Sequence, residues 1–251
     1  MSRDVSLYAL RLGDDALVLA QRLVEWSSRA PAIEEDIALS NIALDLLGQA
    51  RSLLAYAGEL DGSGRSEDDL AYLRPESDFL NCQLVEQPNG DFAHTMARQL
   101  FFSTYQLALY RRLAEESRDE TLAAVAAKAA KEVDYHRDHA TTWTLRLGDG
   151  TEESHRRMQA AVDGLWPYVH ELFEADALTD QLAAAVVAVD PPSLREEWEG
   201  HVGPTLTRAT LDRPETEWRP GGGRQGRHTE HLGYLLAEMQ HLHRSHPGAR
   251  W

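Results

Sequence analysis

The chain has almost no cysteine. Cys82 is the only one among 251 residues, which excludes an internal disulfide framework and a cysteine-only zinc site. No uncharged apolar run approaches the roughly 18 residues of a transmembrane helix, and residues 1–15 lack the apolar stretch of a signal peptide. Positive charge is scarce as well: 25 Lys+Arg stand against 41 Asp+Glu, a net charge of −16. That disfavours nucleic acid or an anionic membrane surface as a partner. No nucleophile elbow, P-loop or zincin motif occurs, so serine- or cysteine-based catalysis has no support. The expectation is an acidic, soluble, cytoplasmic protein. Residues 1–251 are read as one helical domain, with a core bundle over about 4–147 and a helical extension over about 151–251.

What is there is helical. Leu7, Leu10, Leu17 and Val24 repeat at helical spacing, predicting a first helix over about 4–28 that Pro31 stops. A second runs over about 33–60, with Glu34, Glu35 and Asp36 in its first turn, where the helix dipole favours negative charge. Residues 61–90 carry Gly62, Gly64, Pro75, Pro88 and Gly90 and read as a long crossover with one helical turn near 68–73. A third helix follows over about 91–117 with Asp91 as N-cap, and a fourth over about 119–147. Two long hairpins joined by one long connection describe an all-α, ferritin-like four-helix bundle. Additional C-terminal helices are expected at about 152–174, 177–188, 193–211 and 229–243.

The second and third helices are nearly apolar all round, the pattern of buried helices. Between Asp36 and Arg51 the only ionisable side chain is Asp45, and between His94 and Arg111 it is Arg98. A lone buried charge is costly unless it is paired or binds a metal. In the first helix Asp14 interrupts the apolar stripe. In the fourth, the line Leu122, Val125, Ala129, Glu132, His136, His139, Trp143 puts Glu132 and His136 on the expected packing seam.

Carboxylates and histidines inside such a bundle suggest a di-iron carboxylate centre, which takes a Glu from each of two helices and a Glu-x-x-His from each of the other two. Asp14 and Asp45 stand at a hairpin separation, as do Arg98 and Glu132. The ligands themselves fail. Gly48 and Tyr135 stand where histidines are required, Arg98 stands where a carboxylate is required, and His136 falls one residue late, about 100° around the helix. The register describes a degenerate metal pocket of Asp14, Asp45, Gly48, Arg98, Glu132, Tyr135 and His136, with Arg98 neutralising Asp14, Asp45 or Glu132. Spacing alone leaves two other readings open: ordinary buried ion pairs, and a working di-iron site in another register.

Other motifs carry less. Acid-x-x-His occurs at Asp91/His94, Glu152/His155 and Glu238/His241, about as often as chance predicts from this composition. The histidines of the tail, His228, His231, His241, His243 and His246, read as solvated rather than as a metal site. Gly221–Gly226 spells G-x-G-x-x-G, but without a preceding strand it does not bind a dinucleotide. The arginines of the 213–227 segment make it locally basic, suited to a carboxylate-rich partner, to a phosphate or to plain solvation. Of Trp166, Trp198, Trp218 and Trp251, some are expected in the core and some as exposed anchors.

Several stretches resemble one family. Leu10-Arg-Leu-Gly-Asp14, Asp45-Leu-Leu-Gly-Gln-Ala-Arg51, Leu84-Val-Glu-Gln-Pro-Asn-Gly90, His228-Thr-Glu-His-Leu-Gly233 and the ending from Leu236 to Trp251 look like the C subunits of bacterial phenylacetyl-CoA epoxidases. The resemblance is collinear over nearly the whole chain. It implies a multicomponent monooxygenase of aerobic phenylacetate degradation. In it the di-iron centre belongs to a catalytic A subunit, which inserts one oxygen atom of O₂ into the aromatic ring. A reductase supplies electrons from NADPH through flavin and an iron–sulfur cluster. The C subunit is implied to be a ferritin-like, non-catalytic relative of A that pairs with it and stabilises it, with no cofactor of its own. The alternative is an independent ferritin-like di-iron oxidase or iron-binding protein.

Overall fold

The computed structural model describes residues 2–249, and every regular element among them is helical. Trp251, one of the four C-terminal tryptophans noted above, lies outside the described residues. Helices α1 (Ser2–Val24) and α2 (Ile33–Asp61) form the first hairpin. α2 ends at Gly62, whose φ of 72° is the left-handed conformation that a β-carbon opposes. α3 (Glu67–Tyr72) begins on a capping box, in which the Ser66 hydroxyl accepts from the Asp69 N–H at 3.1 Å and the Asp69 carboxylate accepts from the Ser66 N–H at 2.9 Å. α4 (Gln83–Glu86) is a single turn.

The second hairpin is α5 (Phe92–Glu116) and α6 (Glu120–Gly148). Each opens on an aspartate cap: Asp91 accepts from the His94 N–H at 2.9 Å and Asp119 from the Leu122 N–H at 2.9 Å. α7 (Glu152–Leu165), α8 (Ala177–Ala184), α9 (Arg195–Arg208) and α10 (Glu230–Ser245) follow. The helix expected to 174 is α-helical only to Leu165. It continues as a 3₁₀ segment, Trp166–Phe173, because Pro167 has no N–H to carry on the ladder. The two long hairpins on either side of a long connection are those of the ferritin-like, all-α class.

The chain forms two compact units, Met1–Pro88 with Gly221–Trp251, and Asn89–Pro220. In the first, α1 is buried almost all round from Val5 to Leu23. It approaches α2 closely at Gly13, where an added β-carbon would lie 2.9 Å from Leu54 Cδ2. α2 departs from expectation. It buries Leu39, Ile42, Leu46, Leu53 and Leu54 on one face only. Ile33 is 72% exposed, Ile37 56%, Leu44 63% and Leu47 45%. An apolar circumference does not require a buried one. At 100° per residue these four side chains fall on one narrow face.

In the second unit α5 is buried from Ala93 to Tyr110 apart from His94, as an all-apolar helix should be. The seam of α6 differs from the expected one. The buried line is Leu122, Ala126, Ala129, Val133, His136, Ala140 and Thr144. Two helical lines one residue apart fit the same period. The true seam takes the small alanines, which let helices approach, and leaves Glu132 at its edge. Trp198 anchors the rest of this unit. Its indole N–H donates to the Phe101 carbonyl at 2.8 Å, and its ring lies within 5.8 Å of those of Phe101, Trp166 and Phe173.

Candidate functional site

The charges buried in the first unit form three linked centres. Asp14, on the enclosed helix α1, is 0% exposed. Its carboxylate accepts from both terminal nitrogens of Arg74 and from the Leu80 N–H at 2.9 Å. Arg74 donates further to the carbonyls of Leu70 and Asp78, and its guanidinium lies over the Phe79 ring at 4.1 Å. The next residue, Asp15, takes a second arginine: Arg224 Nη1 and Nη2 donate at 3.0 and 2.7 Å, and the Cys82 N–H adds a third bond at 2.8 Å. Burial pushes the Asp15 carboxyl up, against the opposing pull of Arg224 and of Cys82.

The third centre is Glu86, on α4. Its carboxylate is fully buried and accepts four hydrogen bonds: Asn81 Nδ2 at 2.9 Å, His228 Nδ1 at 2.8 Å, and the Thr229 N–H and hydroxyl at 2.6 and 2.8 Å. Four bonds fill the acceptor capacity of a carboxylate. Its backbone carbonyl accepts from Arg22 Nε and Nη2 at 3.1 and 2.7 Å. His228 Nε2 lies 2.8 Å from the Phe79 carbonyl. A carbonyl and a carboxylate only accept, so both ring nitrogens donate and His228 is an imidazolium. Burial alone lowers its affinity for the proton. The Glu86 hydrogen bond and charge, the Phe79 carbonyl and the charge of Glu76 outweigh that and hold its pKa above the ordinary 6.5.

The charged His228 therefore contributes fully to stability below about pH 6.5, and the contribution is lost as the pH rises through its elevated pKa. Wild-type protein is expected to lose unfolding free energy as the pH rises above about 6.5, in a step that His228→Gln lacks. Chemical denaturation at a series of pH values from 6 to 9 checks this. Parallel curves for the two proteins would remove the imidazolium from the account.

The seven residues of the expected pocket divide between the units. In the first, Asp14 is spent on Arg74, while Asp45 and Gly48 lie part-exposed on α2 beside the apolar stripe. In the second, Arg98 is 0% exposed and its Nη2 donates to Asn89 Oδ1 at 2.6 Å. Glu132 faces Lys128 at 3.6 Å with its side chain 20% exposed. Tyr135 is half exposed, and His136 is buried. Among the described residues no group of three or more His, Cys, Asp and Glu side chains is gathered to hold a metal.

Asp15, Arg74 and Glu86 escaped the sequence reading, as did the ion pairs formed by Arg224 and His228. Arg74 and Arg224 lie in irregular segments where no helical period flags a buried face. Two expectations are corrected here. Arg224 is not a solvated loop charge but a buried partner of Asp15, with its side chain 14% exposed. His228 is not a solvated tail histidine; its side chain is fully enclosed. The signal was present in another form. Glu86 and His228 belong to two of the stretches that carry the family resemblance, and those stretches meet in this bond.

An all-α fold of ferritin-like hairpins, one of them wrapped around buried ion pairs, is the class these features define. The chain matches the family described as phenylacetic acid catabolic protein over residues 2–251, and it belongs to that family. It is 51% identical over 247 residues to an Escherichia coli (strain K12) protein, the C subunit of 1,2-phenylacetyl-CoA epoxidase, with 98% of this chain and 99% of that one covered.

Proposed function

We propose that this chain is the non-catalytic structural subunit of a cytoplasmic, multicomponent phenylacetyl-CoA epoxidase. In this reading it pairs with the di-iron catalytic subunit and stabilises it, while a reductase completes the system. The similarity to the Escherichia coli epoxidase protein supports membership of such an enzyme. The observation that carries the non-catalytic part is the state of Asp14. A carboxylate that accepts three hydrogen bonds and is neutralised by the Arg74 fork is a poor ligand for iron. The buried guanidinium of Arg98 and the missing side chain at Gly48 point the same way. These residues do not compose a di-iron donor set.

The pairing part rests on α2. Its exposed stripe from Ile33 to Leu47 extends about 21 Å along the helix. An apolar face of that length on a charged surface marks a protein contact. Glu34, Asp36 and Asp45 flank it, so its complement is an apolar helix face with basic edges.

The alternative reading, an independent ferritin-like oxidase or iron-binding protein, separates cleanly by metal content. Protein made alone in iron-replete medium, without a histidine tag, is expected to hold no stoichiometric iron and to consume no O₂. About two irons per chain, the complement of a di-iron centre, would establish the alternative instead.

A further inference from the structure

The second unit contains a pocket of about 330 Å³ between the Trp166–Phe173 segment, α9 and residues 213–219. Trp166, Pro167, Val169 and Trp198 supply its apolar lining. Arg213 Nη1 and Nη2 each donate to the Glu199 carboxylate at 2.8 Å, and the guanidinium lies over the Trp166 ring at 5.1 Å. That fork fixes one wall. Arg195 reaches the same carboxylate only at 3.7 Å and lies over the Phe173 ring at 4.8 Å. Arg219 also lines the pocket. His170 also lines the pocket: its Nδ1 donates to the Pro167 carbonyl at 2.7 Å, and its Nε2 lies 3.3 Å from the Glu174 carboxylate.

Three guanidiniums thus line the pocket with two carboxylates, Glu199 and Glu215. One positive charge is left over, in a chain whose net charge is −16. A locally cationic concavity on an acidic protein draws anions selectively. We propose that this pocket binds a small organic monoanion, its apolar body against Trp166 and Val169 and its carboxylate between Arg195 and Arg219. Size decides the class. The volume lies at the bottom of the roughly 300–1,000 Å³ that small-molecule sites occupy, so it suits a simple carboxylic acid and not a whole coenzyme thioester.

Calorimetric titration of the full chain tests the proposal with three probes: phenylacetate for an aromatic body, hexanoate for an aliphatic one, and inorganic phosphate for charge alone. At least one carboxylate is expected to bind saturably with a Kd of about 1 mM or tighter, and phosphate at least tenfold more weakly. Arg219→Ala and Arg195→Ala are each expected to weaken that carboxylate by about tenfold or more, the loss of one charge-assisted bond. Both arginines are exposed, so the variants keep the fold, and unchanged melting confirms it. The relative affinity of the two carboxylates assigns the body, and a preference for either supports the site. Absence of saturable binding by both up to about 10 mM, phosphate binding as tightly, or indifference to both substitutions would each overturn it. The titration uses the chain alone, so it succeeds or fails separately from the proposed structural role.

Discussion

Replacing Glu86 with alanine is expected to destabilise the first unit by about 3–5 kcal/mol, the usual cost of removing one partner from a buried ion pair. The cost comes from stranded donors. The wild-type carboxylate accepts from Asn81, His228 and both donors of Thr229. Truncation leaves a buried imidazolium without its anion and both Thr229 donors without their acceptor, while Asn81 Nδ2 keeps only its bond to the Cys82 carbonyl. Burying an unpaired cation is the largest of these penalties, so His228 is expected to give up its proton in the variant. The loss corresponds to roughly 6–20 °C in melting temperature for a chain of this size.

A double-mutant cycle isolates the pair. If the cost comes from the imidazolium, removing His228 together with Glu86 restores part of what Glu86→Ala loses, because no stranded charge remains. Glu86→Gln supplies a discriminating third point. The amide fills the volume but presents an NH₂ group towards donors, so it stays well below wild type. Urea unfolding of the five proteins, the four of the cycle and Glu86→Gln, at pH 6 checks all three expectations. A Glu86→Ala midpoint equal to that of wild type would mean that the network contributes no net stability.

The sequence and the structure agree where periodicity governs and part where it does not. Helices α1, α2, α5 and α6 were legible because long runs of apolar residues at helical spacing end at identifiable signals, such as Asp91, Asp119 and Gly62. The face that a helix buries was less legible. On α6 two overlapping lines fit one period, and three- and four-residue spacing alone does not separate the line containing Glu132 from the one containing Val133. On α2 the apolar residues exceed what the core uses, and nothing in a single sequence separates leucines meant for the core from leucines left for a partner. The ion pairs were least legible. Arg74, Arg224 and His228 lie 60, 209 and 142 residues from Asp14, Asp15 and Glu86, and pairing over such distances leaves no local pattern. The crossover, read from sequence as a long connection with one helical turn, supplies Arg74 and Glu86 to the polar core. The irregular stretch 79–82 ahead of α4 leaves the backbone N–H groups of Leu80 and Cys82 free of helical bonds, so they reach Asp14 and Asp15.

That surplus of leucines on α2 supports the second large expectation. Placing lysine at both Leu44 and Leu47 is expected to lower affinity for the catalytic subunit by at least about 100-fold while leaving the chain's own melting temperature within a degree or two. The two halves follow from one fact, the exposure of these side chains. An exposed leucine contributes little to the isolated fold, so its replacement there is cheap. In the proposed complex the same side chains occupy the C-terminal end of the stripe, and truncating a well-packed interface residue costs about 2 kcal/mol or more. Two desolvated ammonium groups against an apolar face cost more again. About 2.7 kcal/mol already amounts to 100-fold. Asp45 lies between the two positions and does not rescue both lysines. Leu242→Lys, at a residue 54% exposed on α10, serves as the comparison, since it places a lysine on an exposed leucine outside the stripe. Surface plasmon resonance against immobilised catalytic subunit measures all three proteins. Binding lost in the double variant and kept in Leu242→Lys places the contact on α2. Equal binding by all three would leave the stripe without a role in pairing.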